Sequence, residues 1–177
     1  MKIAIVIGLF FAQTALAKNL SSDPTKGSVV FNATAIGLKF QGKGEGPAGN
    51  VQVDTTVVGT FKFKMDSLDT GIGLRNQHMK EKYLETAKYP YGELKVEDVT
   101  GFKKDLPDGS YPFKGTVTIH NVAKPVTGTV QVQKIGDGLQ IKAEFDTKVS
   151  YFSIPLPAYA GVALKDDVKV VVESQLK

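Results

Sequence analysis

The stretch NVQVDTTVVGTFKFKM, residues 50–65, places Val51, Val53, Val57, Phe61, Phe63 and Met65 on odd positions, with Gln52, Asp54, Lys62 and Lys64 between them. Successive side chains of a β-strand point to opposite faces, so a period of two marks a strand with one buried and one wet face. The alternation returns in FKGTVTIH (Phe113, Val117, Ile119), VTGTVQVQ (Val126, Val130, Val132) and GLQIKAEFDTKV (Leu139, Ile141, Ala143, Phe145, Val149). It appears again in DVKVVVE through Val168, Val170 and Val172. Turn-forming clusters separate the runs: GKGEGPAGN at 42–50, read as a hairpin loop, DLPDGS at 105–110, NVAKP at 121–125 and GDG at 136–138. About seven or eight such strands describe an antiparallel meander, and a long meander hides its edges best by closing into a barrel. The expected fold is all-β, an antiparallel barrel of about eight strands, with a β-sandwich as the competing arrangement.

One segment breaks the period. In RNQHMKEKYLETAKYPYGEL, residues 75–94, Met79, Tyr83 and Ala87 recur at helical spacing with Leu84 beside them. Asn76 is the expected N-cap, and Tyr89-Pro90 the expected stop, because the residue before a proline is pushed out of the α region. A short helix of two or three turns between two strands follows, placed to cover one open end of the barrel.

The N-terminus, MKIAIVIGLFFAQTALAKN, has one lysine, an apolar run from Ile3 to Ala12 and Ala15-Leu16-Ala17, the form of a signal-peptidase site. Its apolar core is well short of the roughly 20 residues needed to span a bilayer. The expected organisation is a cleaved export signal at 1–17 and one domain at 18–177. The chain contains no cysteine, which excludes disulfides, a zinc–thiolate site and a lipoprotein anchor. Stability must then come from core packing and closed backbone hydrogen bonding. The formal charge of +4 comes from lysines scattered along the strands. Nucleic-acid binding leaves a clustered basic footprint, so none is expected.

Few residues offer chemistry. His78 and Glu81 share a helical face, yet a zinc site needs three or four ligands and the other histidine, His120, ends a strand. No G-x-S-x-G turn occurs, and Asp166-Asp167 reads as a turn at a strand entrance. No enzyme, metal or cofactor is expected. Arg75 is the only arginine. It has two readings: a clamp on carbonyls or a carboxylate at the strand–helix junction, or a contact for a polar ligand head at the cavity mouth.

Three stretches together carry a family resemblance. LRNQHMKEKYLETAKYP resembles the signature of the YceI-like family through Arg75, His78, Met79, Tyr83, Leu84, Tyr89 and Pro90. YPFKGTVTIHNVAKPVTGTV is similar to that family's hairpin, and FDTKVSYFSIP, which contains Phe152, to its strand ending. Asn76 stands where the family has an acidic residue, KGS at 26–28 replaces an early His-Ser, and Ser153 replaces a common glycine. The resemblance implies an extended lipocalin-like barrel, often dimeric and exported to the periplasm. The modest positive charge separately leads to the expectation of transient contact with anionic headgroups at a membrane surface. The resemblance further implies that an elongated cavity holds a polyisoprenoid or other long amphiphilic lipid, such as a quinone. On that expectation the inward faces carry the tail: Phe61 and Phe63, Val117 and Ile119, Val130 and Val132, then Leu139, Ile141 and Phe145. Leu84 and Phe152 join them from the matched motifs, and Arg75 and His78 meet the polar end. Burial at roughly 0.8 kcal/mol per CH2 would give about 3–4 kcal/mol per isoprene unit, against about 1 kcal/mol for one neutral hydrogen bond. The tail would dominate affinity and the head would tune it.

Overall fold

Every period-two run forms strand, apart from the link at 54–56 and the end residues Met65 and Val149, which open 3₁₀ turns. The computed structural model describes residues 17–35, 37–102, 108–159 and 162–177. The expected export signal falls outside them except for Ala17, as do residues 105–107 of the turn expected at 105–110. The strands are β1 (Lys18–Ser21), β2 (Ser28–Ala35), β3 (Leu38–Glu45), β4 (Ala48–Val53), β5 (Val57–Lys64) and β6 (Tyr91–Val99). They continue as β7 (Gly109–Ile119), β8 (Val122–Ile135), β9 (Gly138–Lys148), β10 (Ala158–Tyr159), β11 (Val162–Ala163) and β12 (Asp167–Leu176). Ten of them make one antiparallel curled sheet in the order β1-β4-β5-β6-β7-β8-β9-β12-β2-β3, and β10 and β11 form a separate ribbon.

The strand number differs from the expected eight because two long strands are each broken once. β1 and β2 are successive pieces of one run, and β3 and β4 of the run that pairs with it. The break lies where Gly46 meets Gly27: a Cβ on Gly46 would sit 2.6 Å from the Pro24 carbonyl oxygen and 2.7 Å from Gly27 Cα. Counting each broken run once leaves eight staves. The Ser21 amide donates to the Lys177 carbonyl (2.7 Å), the Lys177 amide donates to Ser21 (2.9 Å), and Ser22 bridges Leu176. These bonds carry β1 round to β12 and close the curl on that side.

The Gly-rich stretch at 42–50 is strand on both sides of the break at Gly46-Pro47, not the expected hairpin loop. Its glycines give room for close approach. Gly42 pairs with Phe31 and Gly49 with Phe61, while Gly92 pairs with Phe63 and Gly128 with Phe113. A Cβ on Gly128 would lie 2.6 Å from the Phe113 ring, and one on Gly49 would lie 2.8 Å from the Phe61 ring. Each ring thus lies over the bare backbone of the next strand, along the wall of the barrel. The NVAKP turn is also tighter than expected: His120 and Asn121 (φ 54° and 59°) make a two-residue reversal, and β8 begins at Val122. Two consecutive residues with positive φ match a type I′ hairpin, whose twist suits the flanking strands.

β4 is laddered to β5, but β3 is not. There the edge of β3 is held by the Lys43–Asp69 bridge, with mutual amide-to-carbonyl bonds of 2.8 and 2.9 Å, by the Glu45 amide donating to Ser67 Oγ (3.1 Å) and by the Lys64–Glu45 ion pair (3.3 Å). The β5–β6 connection packs at this seam: a 3₁₀ turn (Met65–Ser67), the helix α1 (Gly73–His78) and a π-helical turn (Met79–Tyr83). The helix was expected, but its bounds are corrected. It starts at Gly73 with Ile72 in the N-cap position, and a positive φ at Glu85 (44°) ends it before Pro90. Ala87 consequently falls outside the stripe and is exposed, whereas Met79, Tyr83 and Leu84 pack on the core.

Surface carboxylates tie the turns. Asp166 accepts from the Ser150 amide (2.8 Å) and hydroxyl (2.7 Å), Asp69 from the Gly71 amide (2.7 Å) and the Asn76 side chain (2.6 Å). These donors hold both carboxyls below the usual range, the backbone N–H being the larger cause in each. A lowered folded pKa contributes stability above the unfolded value, and that contribution is lost as pH falls through the folded one. The urea midpoint is therefore expected to hold from neutral pH down to about 5 and to drop below about 4. Asp166→Asn should flatten that drop; an unchanged acid profile would assign it to other groups.

Candidate ligand-binding interior

The helical connection marks one end of the barrel, and the turns at 54–56 and 136–137 mark the other. Inward side chains fill the bore between them. In the half toward the turns they leave a cavity of about 60 Å³ lined wholly by apolar residues. Val51 and Val53 of β4 face Val57 and Phe61 of β5, β6 gives Leu94 and Val96, and β7 gives Phe113. Val130 and Val132 of β8, Leu139, Ile141 and Ala143 of β9, and Val172 and Leu176 of β12 complete the wall. An engineered apolar cavity of about 150 Å³ takes one benzene. The present space is smaller, so a lipid tail has to displace side chains to enter.

Five of the expected tail contacts, Phe61, Val130, Val132, Leu139 and Ile141, line this cavity. Phe63, Val117, Phe145 and Phe152 are buried in the core but off its surface. Phe145 meets the Phe113 ring edge-on at 6.3 Å between centroids. Ile119 and Leu84 are half-buried against the core. Sequence reasoning missed the β6 contribution. A register shift between Val96 and Asp98 moves the inward set from Leu94 and Val96 to Val99, which breaks the period that would have revealed it.

Arg75 and His78 lie on α1 at the helix end and do not line the cavity. Arg75 Nε donates to Thr70 Oγ1 (2.8 Å) and Nη2 donates to the Thr70 carbonyl (2.6 Å), while the guanidinium sits 4.5 Å above the Phe40 ring. Asn76 Oδ1 accepts from the Thr70 amide (2.8 Å) and hydroxyl (2.7 Å), so the residue expected to cap the helix instead locks the turn before it. This geometry is the clamp reading of Arg75. His78 is exposed. Among the described residues no group of three His, Asp or Glu side chains is gathered for a metal. Arg75→Ala is expected to cost about 1–2 kcal/mol in urea unfolding, with Arg75→Lys recovering little because one ammonium cannot reproduce the fork. His78→Ala should stay within about 0.5 kcal/mol of the parent.

His120 has a use that its sequence position did not signal. Its Nε2 lies 2.7 Å from Glu85 Oε2, and its ring packs against Tyr89 with centroids 4.0 Å apart at a tilt of 57°. Two residues with positive φ, Glu85 and His120, thus pin the end of the helical connection to the β7–β8 turn.

The family model of the YceI-like domain matches residues 20–176. The chain belongs to the YceI-like family. Solved structures share the architecture at low identity. A structure of BcnA from Burkholderia cenocepacia superposes with a TM-score of 0.74 at 18% identity, covering 88% of this chain and 99% of that one. A polyisoprenoid-binding domain from Saccharophagus degradans, implicated in plant cell wall breakdown, gives 0.69 at 16%, covering 89% and 97%. A Campylobacter jejuni YceI protein gives 0.54 at 16%, covering 99% and 91%. No curated protein matches the chain.

Proposed function

We propose that this YceI-like domain is an exported, periplasmic binding protein that holds a long-chain isoprenoid or similar amphiphilic lipid, of quinone or polyprenyl type, inside its barrel. The observation that carries the reading is the apolar inward face of seven staves gathered around a wholly apolar cavity. Support also comes from family membership and from the Saccharophagus degradans relative, whose described ligand class is the polyisoprenoids. The protein's part is to exclude water and pack against the tail, so transport, storage or sequestration fits it better than catalysis. The seam between β3 and β5 is where the bore can widen at least cost, because few backbone bonds cross it. Transient contact with a membrane surface, for loading, and a homodimer belong to the same proposal.

The small cavity volume favours a second reading, a structural or stress-response adaptor whose barrel is simply filled. Organic extraction of the purified protein followed by mass spectrometry separates the two. A stoichiometric long-chain lipid is the expected result. A lipid-free protein that also fails to bind added quinones or polyprenols would establish the filled barrel.

A further inference from the structure

β9 and β12 carry one inward polar position beside the cavity, Ser174, which is buried behind the lining side chains and adds nothing to the cavity surface. Val172, Ser174 and Leu176 alternate inward along β12, opposite Ala143, Ile141 and Leu139 on β9. Five of these six side chains line the cavity, and Ser174 stands in their midst, directly across from Ile141. Ser174 is 0% exposed, and its hydroxyl has no hydrogen-bond partner. Such a group forfeits its hydration without replacement, and native interiors satisfy nearly all buried polar atoms. A bound water is a poor remedy here, because it needs two to four polar partners and its surroundings are apolar. The one other unpartnered buried hydroxyl among the described residues, Thr147, lies about 20 Å away along the same two strands, six positions nearer the helix end, where neither its partner Val168 nor its strand neighbour Phe145 lines the cavity.

We infer that Ser174 is a ligand-recognition residue: its hydroxyl donates to a carbonyl or hydroxyl oxygen on the ligand, and so selects an oxygenated lipid over a hydrocarbon of the same length. This rests on the lipid-binding reading above and adds an orientation to it. The oxygen-bearing end lies in the cavity half, near the turns. The tail then runs toward the helical connection, and Arg75 is left to its clamp on Thr70.

The test compares two probes, the C20 prenol geranylgeraniol and the saturated C20 isoprenoid hydrocarbon phytane, on the wild-type protein and on Ser174→Ala. Intrinsic affinity is read by competition against a fluorescent fatty-acid probe. The variant is expected to lose roughly five-fold in affinity for the prenol, the worth of one neutral hydrogen bond, and to bind the hydrocarbon unchanged. Its own unfolding midpoint should stay level or rise, since an unsatisfied hydroxyl has been removed; a fall would mark Ser174 as structural and overturn the assignment. Equal loss for both probes, or no loss for either, also overturns it while leaving lipid binding intact. Failure of the wild type to bind either probe would sink the lipid-binding reading itself.

Discussion

Ile141→Glu is expected to abolish the fold. Ile141 is 8% exposed, lines the cavity and is surrounded by Leu139, Ala143, Val132 and Val172. A carboxylate there is either an unpaired buried charge or a protonated acid, and both forms cost several kcal/mol. Total stability of a domain this size is about 5–15 kcal/mol, so one such change removes a large share of it. Ser174 lies opposite, but one neutral hydroxyl cannot replace the hydration shell of a carboxylate. Circular dichroism and urea unfolding of Ile141→Glu beside Ile141→Met measure the effect. The methionine variant should lose less than about 1.5 kcal/mol. A glutamate variant that keeps native stability would mean the bore already contains water and is an open tube.

Phe113→Ala is expected to cost about 3–5 kcal/mol and to leave a protein that small apolar molecules stabilise. The ring is 2% exposed, lines the cavity and covers Gly128 on β8. Truncation removes the packing against Phe145 and exposes the bare glycine strand, while the existing 60 Å³ cavity grows toward the size that accommodates benzene. Benzene at a hundred-fold excess over its Kd should then return about 2.7 kcal/mol, read as a shift in the unfolding midpoint that the wild type does not show. Loss of stability without benzene rescue would show that the neighbouring strands collapse into the gap.

How much of this was legible in the sequence depends on where the period survived. Residues 50–65 could be read through their turn because Asp54, Thr55 and Thr56 form a three-residue link, which keeps Val53 and Val57 on the same parity and opposite each other. In β6 a bulge shifted the parity, and the strand went unread. Glycines misled at 42–50, where a composition typical of turns serves instead to make room for Phe31 and Phe61. The helical connection was foreseen from Met79, Tyr83 and Leu84. Its ends were not, because Ile72 at the N-cap and Glu85 with a positive φ carry no local signature. Of the site, the apolar wall was visible as pattern, but the unpartnered state of Ser174 was not. A serine in a strand reads as an outward residue until the register places it between Val172 and Leu176.

The position of β12 has a kinetic side. It is inserted between β9 and β2, so Val172 pairs with both Ala143 and Val29. The pairing with β9 closes a short loop, whereas the pairing with β2 spans most of the chain, and the entropy of that closure must be met before its contacts repay it. Folding should therefore be slow and should proceed from the β5–β9 meander outward, with docking of β12 onto β2 late. Until that step, β12 and β2 both present unpaired edges, carrying Val168, Val170 and Val172 on one and Val29, Val30 and Phe31 on the other, the kind of surface on which other chains pair. Aggregation during refolding, and its suppression by conditions that hasten this last docking, follows from a strand order that makes one late strand the keystone of the ring.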